Sequence, residues 1–223
     1  MTPSSYSPPA LKKIAERVRN FRDLAKFCQG YIKEGMVYRT SSMIKHQDQS
    51  LLDNLKLLDV KGIIDLRSEI EIVRDSYNDY FMSNFNYFWV HLDISMPTKI
   101  LEENNVANLP FYHQFCWYVL FYNKYEIQRV FHVLSKKRNY SFVMHCHEGR
   151  DRTGVISALI LLLLNAPETN IIQDYLATDQ YTRTEDIEYI IRKVEEEGGI
   201  NNYLLKMGVE ENIQNKIIEI LKP

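Results

Sequence analysis

The chain has 223 residues, 27 Lys and Arg against 29 Asp and Glu, a formal net charge of −2 and 45% hydrophobic residues. That length suits one domain, or one domain with an excursion, and suffices to bury a substantial core. The near-balanced charge excludes the broad attraction on which non-specific nucleic-acid binding and adhesion to acidic membranes depend.

Residues 1–9 are rich in Ser and Pro and lack the charged start and apolar core of a secretory signal, so they read as a flexible leader. Residues 11–18 have the spacing of a short amphipathic helix, which with the leader makes residues 1–19 a preamble to a single domain over 20–223. Residues 36–39 form a short strand. Residues 47–58 predict a helix, with Leu51, Leu52, Leu55 and Leu58 at three- and four-residue intervals. An apolar strand over 62–66 ends at Asp65 and Arg67, and another strand covers 87–92.

Next comes the segment of residues 97–125. Its aromatics are Phe111, Tyr112, Phe115, Trp117, Tyr118, Phe121, Tyr122 and Tyr125. Helical spacing assigns Phe115 and Trp117 to the core and leaves the role of Phe111 and Tyr112 open. Residues 125–137 put Ile127, Val130, Phe131 and Leu134 on one helical face, leading into a strand over 140–144. The apolar run 155–164 is half of the ~20 residues a membrane span needs, and reads as a helix buried on all sides. Strands alternating with helices predict an α/β fold with a mainly parallel central sheet. No internal repeat is present.

Between that last strand and helix stands His145-Cys146-His147-Glu148-Gly149-Arg150-Asp151-Arg152-Thr153. Ligands of such sheets gather at the carboxyl ends of strands, where Cys146 falls. A phosphate dianion at this turn would meet unpaired N–H groups and the positive end of the helix dipole. A helix N-terminus with a neighbouring cation also favours thiolate, the attacking form of cysteine. Arg152, six positions after Cys146, can return over the loop and clamp two phosphate oxygens with its planar fork, which a lysine cannot. Gly149 permits positive φ and close approach to the anion. Thr153 can cap free amides or donate its hydroxyl to the thiolate. Two flanking histidines raise a metal site, but residues 145, 146 and 147 cannot all converge on one ion, and no second ligand pair is evident. An inert buried cysteine is the other reading, and it leaves the glycine and the charges unexplained. Three widely spaced cysteines, at 28, 116 and 146, argue against a disulfide framework and fit a reducing compartment.

His-Cys-x5-Arg-Thr resembles the signature of the cysteine-dependent protein tyrosine and dual-specificity phosphatases. The form Cys146-x-x-Gly149-Arg150-Asp151-Arg152-Thr153-Gly154 is similar to the bacterial-type branch, whose loop usually runs Cys-x-x-Gly-Lys-Asp-Arg-Thr-Gly. Further blocks resemble that branch in order: Asn20-Phe21-Arg22-Asp23-Leu24, Val37-Tyr38-Arg39-Thr40-Ser41, Ile64-Asp65-Leu66-Arg67-Ser68-x-x-Glu71, Gln173-Asp174-Tyr175-Leu176, Tyr203-Leu204 and Met207-Gly208-Val209. The resemblance implies a phosphatase-like fold over residues 20–223 and, since the family often inserts mobile helices that cover the active site, a lid in the segment 97–125 that competes with the core-helix reading and is left open for Phe111 and Tyr112. Arg150 departs from the branch's lysine, and Glu148 adds a carboxylate that opposes highly anionic substrates or else points into solvent.

The leaving oxygen needs a general acid. By resemblance Asp151 matches the branch's loop aspartate, and Asp93 falls where the superfamily places a movable acid. Asp151 is slightly favoured over a mere charge partner for Arg150 or Arg152; for Asp93 the plain alternative is a turn aspartate. Arg22, Asp23, Arg39, Asp65 and Arg67 are read as buried ion pairs that fix the N-terminal segment to the sheet, because buried charges must be paired. His145 is read as a donor that orients the loop.

The sequence therefore points to a metal- and cofactor-independent phosphatase acting through a phosphocysteine on phosphotyrosine, with room for phosphoserine and phosphothreonine. Cys146, Arg152, Asp151 and Asp93 are its candidate catalytic residues; His147, Glu148, Gly149, Arg150 and Thr153 its candidate substrate contacts. A phosphoinositide or inositol-phosphate phosphatase is the rival enzyme, favoured by Arg150 and opposed by Glu148. A dead phosphate-binding module is the rival outside enzymes, and the presence of Cys146, Arg152 and Thr153 speaks against it. The expected partners are phosphorylated substrates, with no nucleic acid and no membrane insertion; oligomeric state is not fixed. The expected location is cytoplasmic, or secreted without an N-terminal signal.

Overall fold

The computed structural model describes residues 8–178 and 181–223; of the expected leader, residues 1–7 lie outside the described residues. Five strands, β1 (Arg22–Asp23), β2 (Val37–Thr40), β3 (Gly62–Asp65), β4 (Asn86–Trp89) and β5 (Phe142–His145), form one sheet in the order β1-β2-β5-β3-β4. The short β1 pairs antiparallel with β2, and every other pairing is parallel. Helices follow as α1 (Pro9–Ala15), α2 (Gln49–Leu57), α3 (Glu69–Arg74), α4 (Asp79–Met82), α5 (Thr98–Glu103) and α6 (Phe111–Tyr122). After them come α7 (Lys124–Leu134), α8 (Asp151–Leu163), α9 (Glu168–Leu176), α10 (Thr184–Glu196), α11 (Ile200–Lys206) and α12 (Glu211–Leu221).

The expected α/β architecture with a mainly parallel sheet is what forms. Strands β2, β3 and β5 are buried at every position, as parallel strands covered on both faces must be. Their side chains alternate between two cores. Tyr38, Ile63 and Val143 face one cluster with Ile14 of α1, Leu51, Leu52 and Leu55 of α2, and Phe81 of α4. Val37, Ile64, Phe142 and Met144 face the larger cluster, built with α6 to α12.

Several boundaries move by a few residues for identifiable reasons. The α2 helix starts at Gln49 because Asp48 caps it, its side chain accepting from the Leu51 N–H. The α8 helix starts at Asp151, since its polar first turn hides ahead of the apolar run that marks it in the sequence. From Thr153 to Leu161 every α8 residue is buried, among β2, β5, α6, α9, α10 and α11. Phe115 and Trp117 do pack on the core, while Phe111 is 70% exposed. No helix among the described residues is long and apolar enough to cross a membrane. The central strand β5 thus runs straight into Cys146, and α8 leaves from behind it.

Candidate active site

Cys146 follows the last residue of β5 and is 1% exposed, and residues 147–150 turn the chain into α8. Gly149 makes that turn possible. Its φ is +68°, and a Cβ there would stand 2.2 Å from the Thr40 carbonyl oxygen. Three successive carbonyls of the loop are held from outside. The Ser42 N–H donates to His147 O at 2.9 Å, Asn20 Nδ2 to Glu148 O at 2.8 Å, and Arg39 Nη2 to Gly149 O at 3.0 Å. Carbonyls drawn one way leave the amides turned the other. The N–H groups of His147, Glu148, Gly149, Asp151, Arg152 and Thr153 make no hydrogen bond among the described residues. Together with the α8 N-terminus they form a cradle for an anion beside the Cys146 thiol.

Arg152, on the first turn of α8, is 5% exposed. Its Nη1 and Nη2 donate to the two oxygens of Glu71 at 2.6 and 2.7 Å, and Nη1 also reaches Leu66 O at 3.3 Å. Glu71 therefore holds the end of the guanidinium, while the Nε–H edge has no partner among the described residues. That edge is the second of the two on which a planar fork can grip two oxygens. Burial alone would raise the Glu71 carboxyl, but the bonds from Arg152 outweigh it and hold the group at about 2. The same carboxylate closes the N-terminus of α3, accepting from Ser68 N–H and hydroxyl at 2.7 and 2.8 Å in a capping box.

Behind the loop lies a buried polar layer. Arg67 donates to Asp65 through Nε and Nη2, and Tyr87 donates to the same carboxylate at 2.7 Å. His145, fully buried, bonds the Cys146 carbonyl through Nδ1 at 2.9 Å and the Tyr77 hydroxyl through Nε2 at 3.0 Å. A carbonyl only accepts, so the proton is on Nδ1 and Nε2 accepts from Tyr77. Burial pushes the imidazole pKa down, against the pull of Asp65, so the ring is neutral. On the far side of the sheet order, Asp174 of α9 pairs with both Arg22 and Arg39, all three buried. Arg22 and Arg39 are thus in buried ion pairs as expected, but their partner is Asp174 of α9, and Arg39 carries the clamp onward to Gly149. Asp23 departs from the expectation, forming no ion pair among the described residues and accepting instead from the Ala25 and Gly35 N–H groups.

The two candidate acids have different surroundings. Asp151 accepts from the Tyr112 hydroxyl and, at 2.8 Å, from Arg150 Nε, both on Oδ1. Asp93 accepts from Tyr118 at 2.7 Å and from Ser95 N–H and hydroxyl at 2.9 Å, and no hydrogen bond or ion pair joins it to the loop. Burial raises the Asp93 carboxyl, but those donors outweigh it and keep it below the usual aspartate value.

The remaining loop residues have partners of their own. Glu148 pairs with Arg19 and lies 3.4 Å from His147 Nε2. A cleft of about 220 Å³ opens there, lined by His147, Glu148, Arg17, Arg19, Lys45, His46 and Arg67 among others. The Arg150 guanidinium sits 5.9 Å over the Tyr181 ring. Thr153 makes no cap: its hydroxyl is buried and without a partner among the described residues.

Among the contributors that carried no assigned role in the sequence are Glu71, Tyr112 as a polar group, and Asp174. Ser68-x-x-Glu71 was readable as a capping box, but that local signal is silent on Arg152, 81 residues away in sequence.

A tyrosine-protein phosphatase of Nostoc commune is 30% identical over 56 residues, a stretch covering 25% of this chain and 19% of that relative. Among solved structures, the core catalytic domain of the PP-IP phosphatase SIW14 from S. cerevisiae has a TM-score of 0.45 and 18% identity, covering 78% of this chain and 94% of that one. TpbA of P. aeruginosa has a TM-score of 0.47 and 11% identity, covering 80% and 91%. The tyrosine phosphatase family itself matches residues 14–222, and with that match running over nearly its whole length, this chain belongs to the tyrosine phosphatase family.

Proposed function

We propose that the protein is a cysteine-dependent phosphomonoesterase acting on phosphotyrosine, with phosphoserine and phosphothreonine as slower substrates because an alkoxide leaves less readily than a phenolate. The observation that carries this is the set of undonated loop N–H groups around Cys146, with the open Nε edge of Arg152 beside them.

In the first step the Cys146 thiolate attacks phosphorus, the bond to the ester oxygen breaks, and Asp151 gives its proton to that oxygen. The products are the free phenol or alcohol, a phosphocysteine and an Asp151 carboxylate. In the second step the carboxylate takes a proton from water as the water oxygen attacks phosphorus. The phosphorus–sulfur bond breaks, its electron pair returns to Cys146, and inorganic phosphate leaves. The loop amides and Arg152 stabilise the charge on the equatorial oxygens in both steps. Thr153, buried with an unshared hydroxyl, is suited to donate to the sulfur as the thiolate reforms. His147, Glu148, Gly149 and Arg150 shape the entrance. Asp93 is the alternative acid.

A second reading, hydrolysis of phosphoinositides or inositol phosphates, draws support from the basic side chains of the cleft beside His147 and Glu148. The Glu148 carboxylate, which would oppose such substrates, is offset by Arg19.

Purified protein is expected to hydrolyse an aryl phosphate without added metal and to be inhibited by vanadate, with Cys146→Ser inactive yet still binding the oxyanion. Turnover surviving in Cys146→Ser would overturn the nucleophile assignment. A binding module without activity would fail the first assay outright. Rates on phosphotyrosyl peptides, phosphoseryl peptides and phosphoinositides then separate the two substrate readings.

A further inference from the structure

The Tyr112 phenol of α6 reaches 39 residues along the chain to Asp151 and, from the same oxygen, meets the Tyr175 hydroxyl of α9 at 2.7 Å. A phenol has one proton. Since the Tyr112 proton is given to Asp151, Tyr175 must be the donor to Tyr112, and the three groups form a directed chain from Tyr175 through Tyr112 to Asp151 Oδ1. Tyr175 is 1% exposed and is backed against Gly154, where an added Cβ would stand 2.9 Å from its ring. The chain is therefore anchored on the helix that carries Asp151.

We propose that Tyr112, supported by Tyr175, is a positioning residue for the general acid: it fixes Asp151 Oδ1 and thereby makes Oδ2 the oxygen that carries the transferable proton. The proposal rests on the assignment of Asp151 as that acid.

The two carboxylate oxygens differ as this requires. Oδ1 receives Tyr112 and Arg150 Nε, whereas among the described residues Oδ2 has a long 3.4 Å contact from Arg150 Nη2 alone. An oxygen that already accepts two donors is a poor place for a proton, so protonation falls on the other. The groups facing Asp151 are Arg150 and Arg152 from its own segment, Tyr112 and Cys116 from α6, and Tyr175 from α9, with Asp186 of α10 beyond. Asp186 is paired with Arg183. Burial and the neighbouring negative groups push both phenols and the Cys116 thiol upward, so all three stay neutral and the phenols remain donors. The structure thus gives the aromatic helix a polar purpose beside its packing: when α6 is docked, the acid is aimed.

The test is a pair of pH–rate profiles, on an activated nitrophenyl phosphate and on unsubstituted phenyl phosphate, for wild type, Tyr112→Phe, Tyr175→Phe, Asp151→Asn and the double variant Tyr112→Phe with Asp151→Asn. A positioned general acid is worth on the order of a hundredfold, and losing its aim is expected to lower the phenyl phosphate rate about tenfold in Tyr112→Phe, with a several-fold smaller loss on the activated ester. Tyr175→Phe should act in the same direction and more weakly, and it stands in if Tyr112→Phe fails to fold. In the double variant the Tyr112 effect should disappear. Equal losses on both esters would reduce Tyr112 to packing and overturn the proposal, even if Asp151→Asn behaves as an acid variant. If Asp151→Asn itself leaves the leaving-group dependence intact, the acid assignment falls and this proposal falls with it.

Discussion

Arg152 has two edges on which to grip an anion, and Glu71 occupies one of them. Its carboxylate, 14% exposed, also caps α3, so a single side chain fixes both the helix and the guanidinium. Replacing Glu71 by Gln keeps the shape but removes the charge that orients Arg152 end-on. Because misplacement of about 1 Å in a reacting assembly can cost a hundredfold, kcat/KM on an aryl phosphate is expected to fall about tenfold to a hundredfold. Weakening a pair this deeply buried should also lower thermal stability. Unchanged kinetics in Glu71→Gln would show that Arg152 is held by the loop alone. Gly149 acts at the same scale through sterics, since the Thr40 backbone leaves no room for a Cβ.

The α9 helix holds the loop from two consecutive positions. Asp174 grips Arg22 and Arg39, and Arg39 passes the hold to Gly149 O. Tyr175 passes another through Tyr112 to Asp151. Burial, with the like charge of Arg39, already pushes the Arg22 guanidinium down to about 10, which leaves Asp174 as the group that makes two buried cations tolerable. Removing one partner from a buried ion pair costs about 3–5 kcal/mol, so Asp174→Asn is expected to lower the unfolding free energy read from urea denaturation by an amount of that order, and the urea midpoint with it. It should also weaken vanadate binding, since Gly149 O loses its oriented donor. A midpoint equal to wild type would mean that Thr178 and the Asp174 carbonyl, which also accept from Arg22, suffice.

Across the whole molecule, buried ionisable groups set how stability depends on pH. His145 is neutral when folded and takes a proton near 6.5 when unfolded, so the unfolded chain binds the extra proton and stability falls as pH drops below that value. Asp65 and Asp174 are held below their ordinary 3.8 and Glu71 at about 2 against 4.5. Their stabilisation is complete above those ordinary values and is lost as pH falls toward the depressed ones. Asp23, raised by burial, acts in the opposite sense. The melting temperature is accordingly expected to hold above pH 7, decline below about 6.5 and collapse below about 4. A melting temperature that rises on acidification through pH 6 would contradict a neutral buried His145.

Local pattern determined much of this protein. The leucine spacing of α2, the apolar strands β3 and β5, and the apolar run of α8 each report their element, because burial imposes the element's own period on the side chains. The loop at residues 146–152 is also local, a strand, a tight turn and a helix N-terminus within nine residues, so its residues were legible as a set. What tertiary structure decided is whatever joins distant segments. Glu71 meets Arg152, Asp174 meets Arg39 and Tyr112 meets Asp151 only because the parallel sheet brings the ends of β2, β3 and β5 together, with α6 and α9 closing over them. No periodicity encodes such pairs: a buried carboxylate or phenol states that it needs a partner, and the fold alone chooses which one.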